Sequence, residues 1–295
     1  MKFIVFALLL LLSSCLSLDD NLFNTSEKIT EYRRDNYAGD QDFRLDESYR
    51  IPDSLIHVFT LPSRTPDEEN STHIYATYVG DISRIATDTV IMYCHGNKWH
   101  MDLYWQRVKL LANTGGKNRF GVMMIDYRGY GLSEGKPSEA GLYADVNAAL
   151  GWLKAKGLSE SRLVMYGFSM GTAPATELTA YPGTLRPAKL ILEAPFASAD
   201  VMVRDGALLN LPGSFVTGLK IDVAERISHV QQPFLWLHGT NDNFLNIKTH
   251  GEVVYKNYHG QYGEARRVGG ADHTTVPNTM GFPVYNETIL RFLKR

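Results

Sequence analysis

The chain has 295 residues, with 30 Lys+Arg against 32 Asp+Glu, a formal net charge of −2 and 44% apolar residues. So much apolar content with so little net charge excludes a disordered chain, and the missing basic excess argues against a nucleic-acid partner. Two cysteines, Cys15 and Cys94, are too few for a disulfide scaffold or a cysteine-based metal site.

Met1-Lys2 leads into an apolar run, Phe3 to Leu12, and then Ser13-Ser14-Cys15. A charged start, a run shorter than the roughly 20 residues that span a bilayer, and small residues at its end read as a secretory signal. Leu12-Ser13-Ser14-Cys15 resembles the bacterial lipobox. That resemblance implies a signal over residues 1–14, a lipidated Cys15, and an exported protein held on a bacterial membrane. Leu16, rather than Asp, after the cysteine resembles the pattern of outer-membrane sorting. The other reading is an ordinary signal peptide with an incidental cysteine. Residues 15–49 are polar, mixed in charge and without a periodic apolar face, which predicts a tether ahead of a single domain over 50–295.

Short β-branched and apolar runs then alternate with helical patterns. Strands are predicted at Ile56–Thr60, Ile74–Val79, Val90–Cys94, Val122–Ile125, Leu163–Tyr166, Leu190–Leu192, Phe234–Leu237 and Ala265–Val268. Helices are predicted at Leu103–Asn113, Glu139–Lys156, Met170–Ala180, Ile247–Tyr258 and Val284–Lys294. Nearly continuous apolar strands separated by helices predict an α/β fold, a mostly parallel eight-stranded sheet covered on both faces. Residues 195–232 form the one long insertion, predicting a small cap plus a crossover helix. Its apolar members Val201, Met202, Leu208, Leu209, Phe215, Val216 and Leu219 could wall an acyl chain or simply cover the sheet. A small cap favours an open site able to admit a bulky acyl ester.

In such sheets function gathers at the carboxyl ends of the strands. After the fifth strand comes Gly167-Phe168-Ser169-Met170-Gly171, a G-x-S-x-G between strand and helix that presents a serine hydroxyl on a sharp turn. A serine needs a base and an orienting acid, in the chain order Ser, acid, His for this architecture. Asp242 follows the seventh strand and His273 the eighth, so the predicted catalytic set is Ser169, Asp242 and His273. Oxyanion donors are assigned to the backbone N–H groups of Met170 and of Asn97, in the loop after the third strand. Asp272, beside His273, and Glu193, after the sixth strand, are rival acids. His95 and His238 read as loop-shaping, Cys94 as an apolar filler, and Asp126 with Arg128 as a structural turn. Trp99 and Phe196 are candidate substrate contacts; Trp105 and Phe244 could line the pocket or belong to the core. No H-E-x-x-H, P-loop or G-x-G-x-x-G occurs, so no metal or other cofactor is expected.

With these residues in place the chain resembles the α/β-hydrolase superfamily. The run Asp126-Tyr127-Arg128-Gly129-Tyr130-Gly131-Leu132-Ser133-Glu134-Gly135, followed by Pro137-Ser138-Glu139, is similar to one in the Bem46 and ABHD17-like serine hydrolases. The resemblance covers about residues 74–295 and implies cofactor-free hydrolysis of an ester or thioester, since relatives include thioesterases that remove palmitoyl groups. Departures from the family's pattern are Asn241 and Lys98-Trp99-His100, and they bear on the substrate. A serine peptidase or an acyltransferase would use the same groups, and a lipoprotein that keeps the fold only for binding is the reading from another class. The expected partners are an acyl-bearing substrate and, through Cys15, a membrane, with no nucleic acid.

Overall fold

The computed structural model describes residues 23, 25, 28–207 and 218–295. Eight strands form one sheet among them: β1 (Ile56–Ser63), β2 (Thr72–Val79), β3 (Val90–Cys94), β4 (Gly121–Ile125), β5 (Leu163–Phe168), β6 (Lys189–Glu193), β7 (Phe234–Gly239) and β8 (Gly263–Val268). The order is β1-β2-β4-β3-β5-β6-β7-β8. β1 pairs antiparallel with β2 and β2 with β4; from β4 to β8 every pairing is parallel. The expected mostly parallel α/β sheet is therefore the observed one.

Alternate residues of a strand face opposite sides, so each central strand feeds two cores. Val90, Met92 and Cys94 face one side, with α2 (Glu139–Ala155), α3 (Thr172–Ala180) and α6 (Gly251–Asn257) over it. Ile91 and Tyr93 face the other, beneath α1 (Met101–Ala112) and α8 (Phe282–Leu293). β3, β4 and β5 are buried along their whole length, and each large apolar side chain so removed from water contributes about 1.5–3 kcal/mol. Ser138 starts α2 by accepting the N–H of Gly141 at 3.0 Å. The insertion after β6 carries α4 (Ala199–Ala207) and α5 (Val223–Arg226), and a short α7 (Val276–Met280) precedes α8. Leu208, Leu209, Phe215 and Val216 lie outside the described residues, as do the signal and Cys15.

The stretch expected to be a tether is instead packed onto the domain from Tyr32 onward. All twelve residues of α1 are buried, including Asp102, Gln106, Arg107 and Lys109. The N-terminal segment is what covers the helix's polar face. Asp102 accepts the N–H groups of Arg33 and Arg34, both at 2.7 Å, and Gln106 accepts the N–H of Leu45 at 3.1 Å. Lys109 pairs with Asp35 at 2.6 Å, and Asn113 donates to the carbonyl of Tyr49 at 3.1 Å. Positions 102, 106, 109 and 113 recur at helical spacing, so they form one stripe. Tyr37 and Phe43 supply the segment's own buried side chains.

Candidate active site

Ser169 sits where β5 turns into α3, in the left-handed region with φ of 51°. A serine there costs of order 1–3 kcal/mol and persists only because its surroundings hold it. Both elbow glycines are sterically required. A Cβ on Gly167 would lie 2.6 Å from the Gly171 carbonyl oxygen, and one on Gly171 would lie 2.0 Å from the Cys94 carbonyl oxygen. The elbow is thus pressed against the end of β3, which is how the loop carrying Asn97 comes to stand beside Ser169.

The loops after β7 and β8 bring the other two groups in. His273 Nε2 lies 2.9 Å from Ser169 Oγ, and His273 Nδ1 lies 2.8 Å from Asp242 Oδ2. A carboxylate only accepts, so Nδ1 carries the proton and Nε2 is left to accept from the serine. Asp242 Oδ1 takes the N–H groups of Phe244 and Leu245 at 3.0 and 2.7 Å. Burial opposes its ionised form, but hydrogen bonds from His238, His273 and the Leu245 N–H overcome this and hold the carboxyl well below the usual carboxylate range.

The Asn97 loop is tied down by tyrosines. Tyr104 donates to the Asn97 carbonyl at 2.9 Å, while Tyr130 and the Lys98 N–H donate to Asn97 Oδ1 at 2.6 and 2.8 Å. Tyr130 also reaches Met170 Sδ at 3.7 Å, joining the two residues expected to supply oxyanion donors. Two clefts meet at Ser169 and Asn97. One is apolar, about 40 Å³, and lined by Met170, Phe196, Met202, Leu219 and Ile221. The other is about 380 Å³ and lined by Asp42, Lys98, Trp99, Phe168, His273 and Thr274. Phe244 borders both, and its ring stands 5.1 Å from that of His273. Trp99 and Phe196 therefore line different clefts that share the serine, whereas Trp105 is a core residue.

The family described as serine aminopeptidase, S33, matches residues 86–221, a span that holds the elbow and the Asn97 loop but stops short of Asp242 and His273. An α/β-hydrolase domain-containing protein, aho-3 of Caenorhabditis elegans, is 33% identical over 189 residues, 63% of this chain and 52% of its own. The α/β-hydrolase domain-containing protein 17C of Mus musculus is 32% identical over 169 residues, 56% and 48% respectively. The chain has the α/β-hydrolase fold and over part of its length is similar to α/β-hydrolase domain-containing proteins of ABHD17 type. It spans about half the length of the curated relatives it matches. Among solved structures, an esterase from Pyrococcus furiosus superposes with a TM-score of 0.62 at 19% identity, covering 81% of this chain and 91% of that one. An α/β-hydrolase from Vibrio vulnificus gives 0.62 at 21% identity, covering 81% of each. At those identities the likeness speaks for the fold.

At this site the rival acids are engaged elsewhere. Asp272 turns onto the N–H of His273 itself, at 2.7 Å. Glu193 lies beneath the site, receiving Arg107 at 2.8 Å and the hydroxyls of Tyr166 and Tyr285. Arg107 also donates to the Thr274 carbonyl at 2.8 Å and stacks 4.0 Å from the Phe168 ring, so one buried cation touches a neighbour of His273 and a neighbour of Ser169. Cys94 is buried, which pushes its thiol far above the ordinary range and makes it inert.

Sequence reasoning missed three supports. His238 does more than shape its loop: its Nε2 lies 3.1 Å from Asp242 Oδ2. Tyr32, from the supposed tether, donates to Asp126 at 2.6 Å, and Asp126 in turn stands 3.2 Å from buried His95 under the Asn97 loop. Asp42 reaches Arg107 at 3.1 Å. Arg128 does hold its turn, pairing with Asp145 at 2.9 Å and Glu68 at 2.7 Å.

Proposed function

We propose that this hydrolase cleaves a carboxylic ester or thioester through a covalent acyl-enzyme. Ser169 Oγ attacks the carbonyl carbon as His273 Nε2 takes its proton, and the carbonyl oxygen becomes an oxyanion facing the N–H groups of Asn97 and Met170. Collapse breaks the bond to the leaving oxygen or sulfur, which receives the proton back from Nε2. Water then repeats the cycle on the acyl-enzyme, releasing the acid. Asp242 keeps the imidazole in the needed tautomer and stabilises it when charged. The observation that carries this reading is the unbroken line from Asp242 through His273 to Ser169, at 2.8 and 2.9 Å.

An aminopeptidase, as the matching family's description names, would require a free carboxylate to receive a substrate's ammonium group. Asp42 is turned onto Arg107, and Lys98 stands at the same cleft, so the ester reading is better supported. Attachment to a membrane through lipidated Cys15 belongs to the proposal and rests on the sequence pattern. Incorporation of a radiolabelled fatty acid, lost in Cys15→Ser, tests it.

The catalytic reading is tested with a fluorophosphonate probe on wild type and Ser169→Ala, beside p-nitrophenyl esters of rising chain length. Labelling and turnover are expected in wild type alone, with kcat down on the order of 10³-fold or more in the variant. A folded wild-type protein that takes no label, or a variant that turns over near the wild-type rate, refutes it.

A further inference from the structure

The two clefts are not equivalent, because His273 lines only one of them. Resting on the acyl-enzyme reading above, the chemistry fixes which part of a substrate each one takes. His273 Nε2 must return a proton to the leaving atom, so the leaving group has to lie on the imidazole's side of Ser169. The acyl chain then occupies the side with Met170, Phe196, Met202, Leu219 and Ile221. At about 40 Å³ that cleft admits on the order of three water-sized groups, a short acyl tail. The leaving-group cleft, at about 380 Å³, is several times larger.

Its wall carries one uncommitted charge. Asp42 is held by Arg107, and the neighbouring Asp272 accepts the N–H of His273. Lys98 has no acid partner among the described residues; its ammonium rests 4.7 Å from the centre of the Trp99 ring. The backbone at Lys98 is in the left-handed region, φ 82°, and its N–H is fixed by Asn97 Oδ1 at 2.8 Å. That conformation costs a β-carbon-bearing residue energy and is held by the same loop that offers the Asn97 N–H.

We propose that the cleft lined by His273 holds the leaving group, and that Lys98 with Trp99 selects alcohols or thiols carrying an anionic group, a carboxylate or a phosphate. The preferred substrate is then a short acyl ester or thioester of a large, acidic leaving group. Lys98-Trp99-His100, the departure from the family's pattern, becomes the element that sets this choice.

The experiment compares butyryl 4-hydroxybenzoate, whose leaving group is anionic, with the butyryl ester of methyl 4-hydroxybenzoate, whose leaving group is neutral. The ratio of the two kcat/KM values is measured in wild type, Lys98→Met and Lys98→Glu, so that intrinsic reactivity cancels between proteins. The ratio is expected to fall about fivefold in Lys98→Met, the weight of one largely exposed charge pair, and further in Lys98→Glu. In wild type it should shrink toward the Lys98→Met value as salt is raised. A second ratio, p-nitrophenyl hemiglutarate over p-nitrophenyl butyrate, places the negative charge on the acyl side and should not move. An unchanged first ratio in variants that still label with fluorophosphonate overturns the selection by Lys98. A moving second ratio with an unmoved first one reverses the assignment of the clefts. Loss of labelling in wild type refutes the acyl-enzyme reading itself, and this inference with it.

Discussion

Replacing Gly171 by alanine tests whether the elbow is held by backbone packing. The added Cβ would lie 2.0 Å from the Cys94 carbonyl oxygen, 2.4 Å from its carbon and 2.6 Å from the His95 carbonyl oxygen. Contacts under 3.0 Å are essentially never seen for a real Cβ, so the gap between α3 and the end of β3 must open by about 1 Å. All three neighbours are main chain, and no side chain can swing away. Overpacking costs about 1–3 kcal/mol, and main-chain neighbours put this case at the upper end. At about 2–4 °C per kcal/mol for a domain of this size, Tm should fall by roughly 6–12 °C. The same shift moves Met170 and Asn97 apart, and a misplacement of about 1 Å can cost on the order of 100-fold in rate. Thermal unfolding and the fluorophosphonate labelling rate measure the two effects. Gly269→Ala is the control, since a Cβ there meets nothing within 4 Å. If Gly171→Ala melts and labels like wild type, the packing argument for the elbow is wrong.

Asp242→Asn should keep the fold and lower kcat by about 10³–10⁴-fold, because the asparagine amide favours the wrong imidazole tautomer. Asp242 is held below its usual pKa, so the stability from its ionised form is fully present above pH ~4 and lost as pH falls through the lowered value. Urea unfolding of wild type and Asp242→Asn should therefore show a stability difference at pH 6 that narrows toward pH 3; a constant difference would refute the linkage. Arg107→Met leaves Glu193 buried with only tyrosine hydroxyls as partners and should cost about 3–5 kcal/mol, read as a large drop in Tm. A Tm within 2 °C of wild type, about 0.5–1 kcal/mol, would show that the buried charge is relieved by other means.

What the sequence made legible was whatever is local or ordered along the chain. Apolar runs located the strands, and Ser169, Asp242 and His273 each follow a different one, so chain order alone named them. Supports that depend on distant segments meeting left no such trace. His238 precedes Asp242 by four residues and looks like one more strand-ending histidine; only the fold turns its Nε2 toward the carboxylate. The helix predicted from Ile247 begins instead at Gly251, after turns through His250, since apolar spacing does not report where backbone hydrogen bonds start. Clefts are equally invisible in one dimension: Trp99 and Phe196 were both legible as candidate contacts, but not that they line different clefts beside Ser169.

The N-terminal segment was misjudged for a physical reason, and the error makes a prediction. A stretch such as Glu31 to Asp42 buries little apolar surface of its own, so composition reads it as solvated. The missing clue lies in α1, where Asp102, Gln106, Lys109 and Asn113 give the helix an apparently exposed stripe that is in fact fully covered. Each of those four is answered by a group from residues 33–49. Removing residues 1–49 would strip five such hydrogen bonds, the Asp42–Arg107 pair, and the burial of Tyr37 and Phe43. At about 1 kcal/mol for each hydrogen bond, the loss rivals the 5–15 kcal/mol that keeps a domain folded. A chain beginning at Arg50 should therefore aggregate or melt far below wild type, whereas one beginning at Lys28 should retain most of its Tm. Should the shorter chain fold and label at the wild-type rate, the segment would be a tether after all, and its contacts with Arg107 and Asp126 would be incidental to the site.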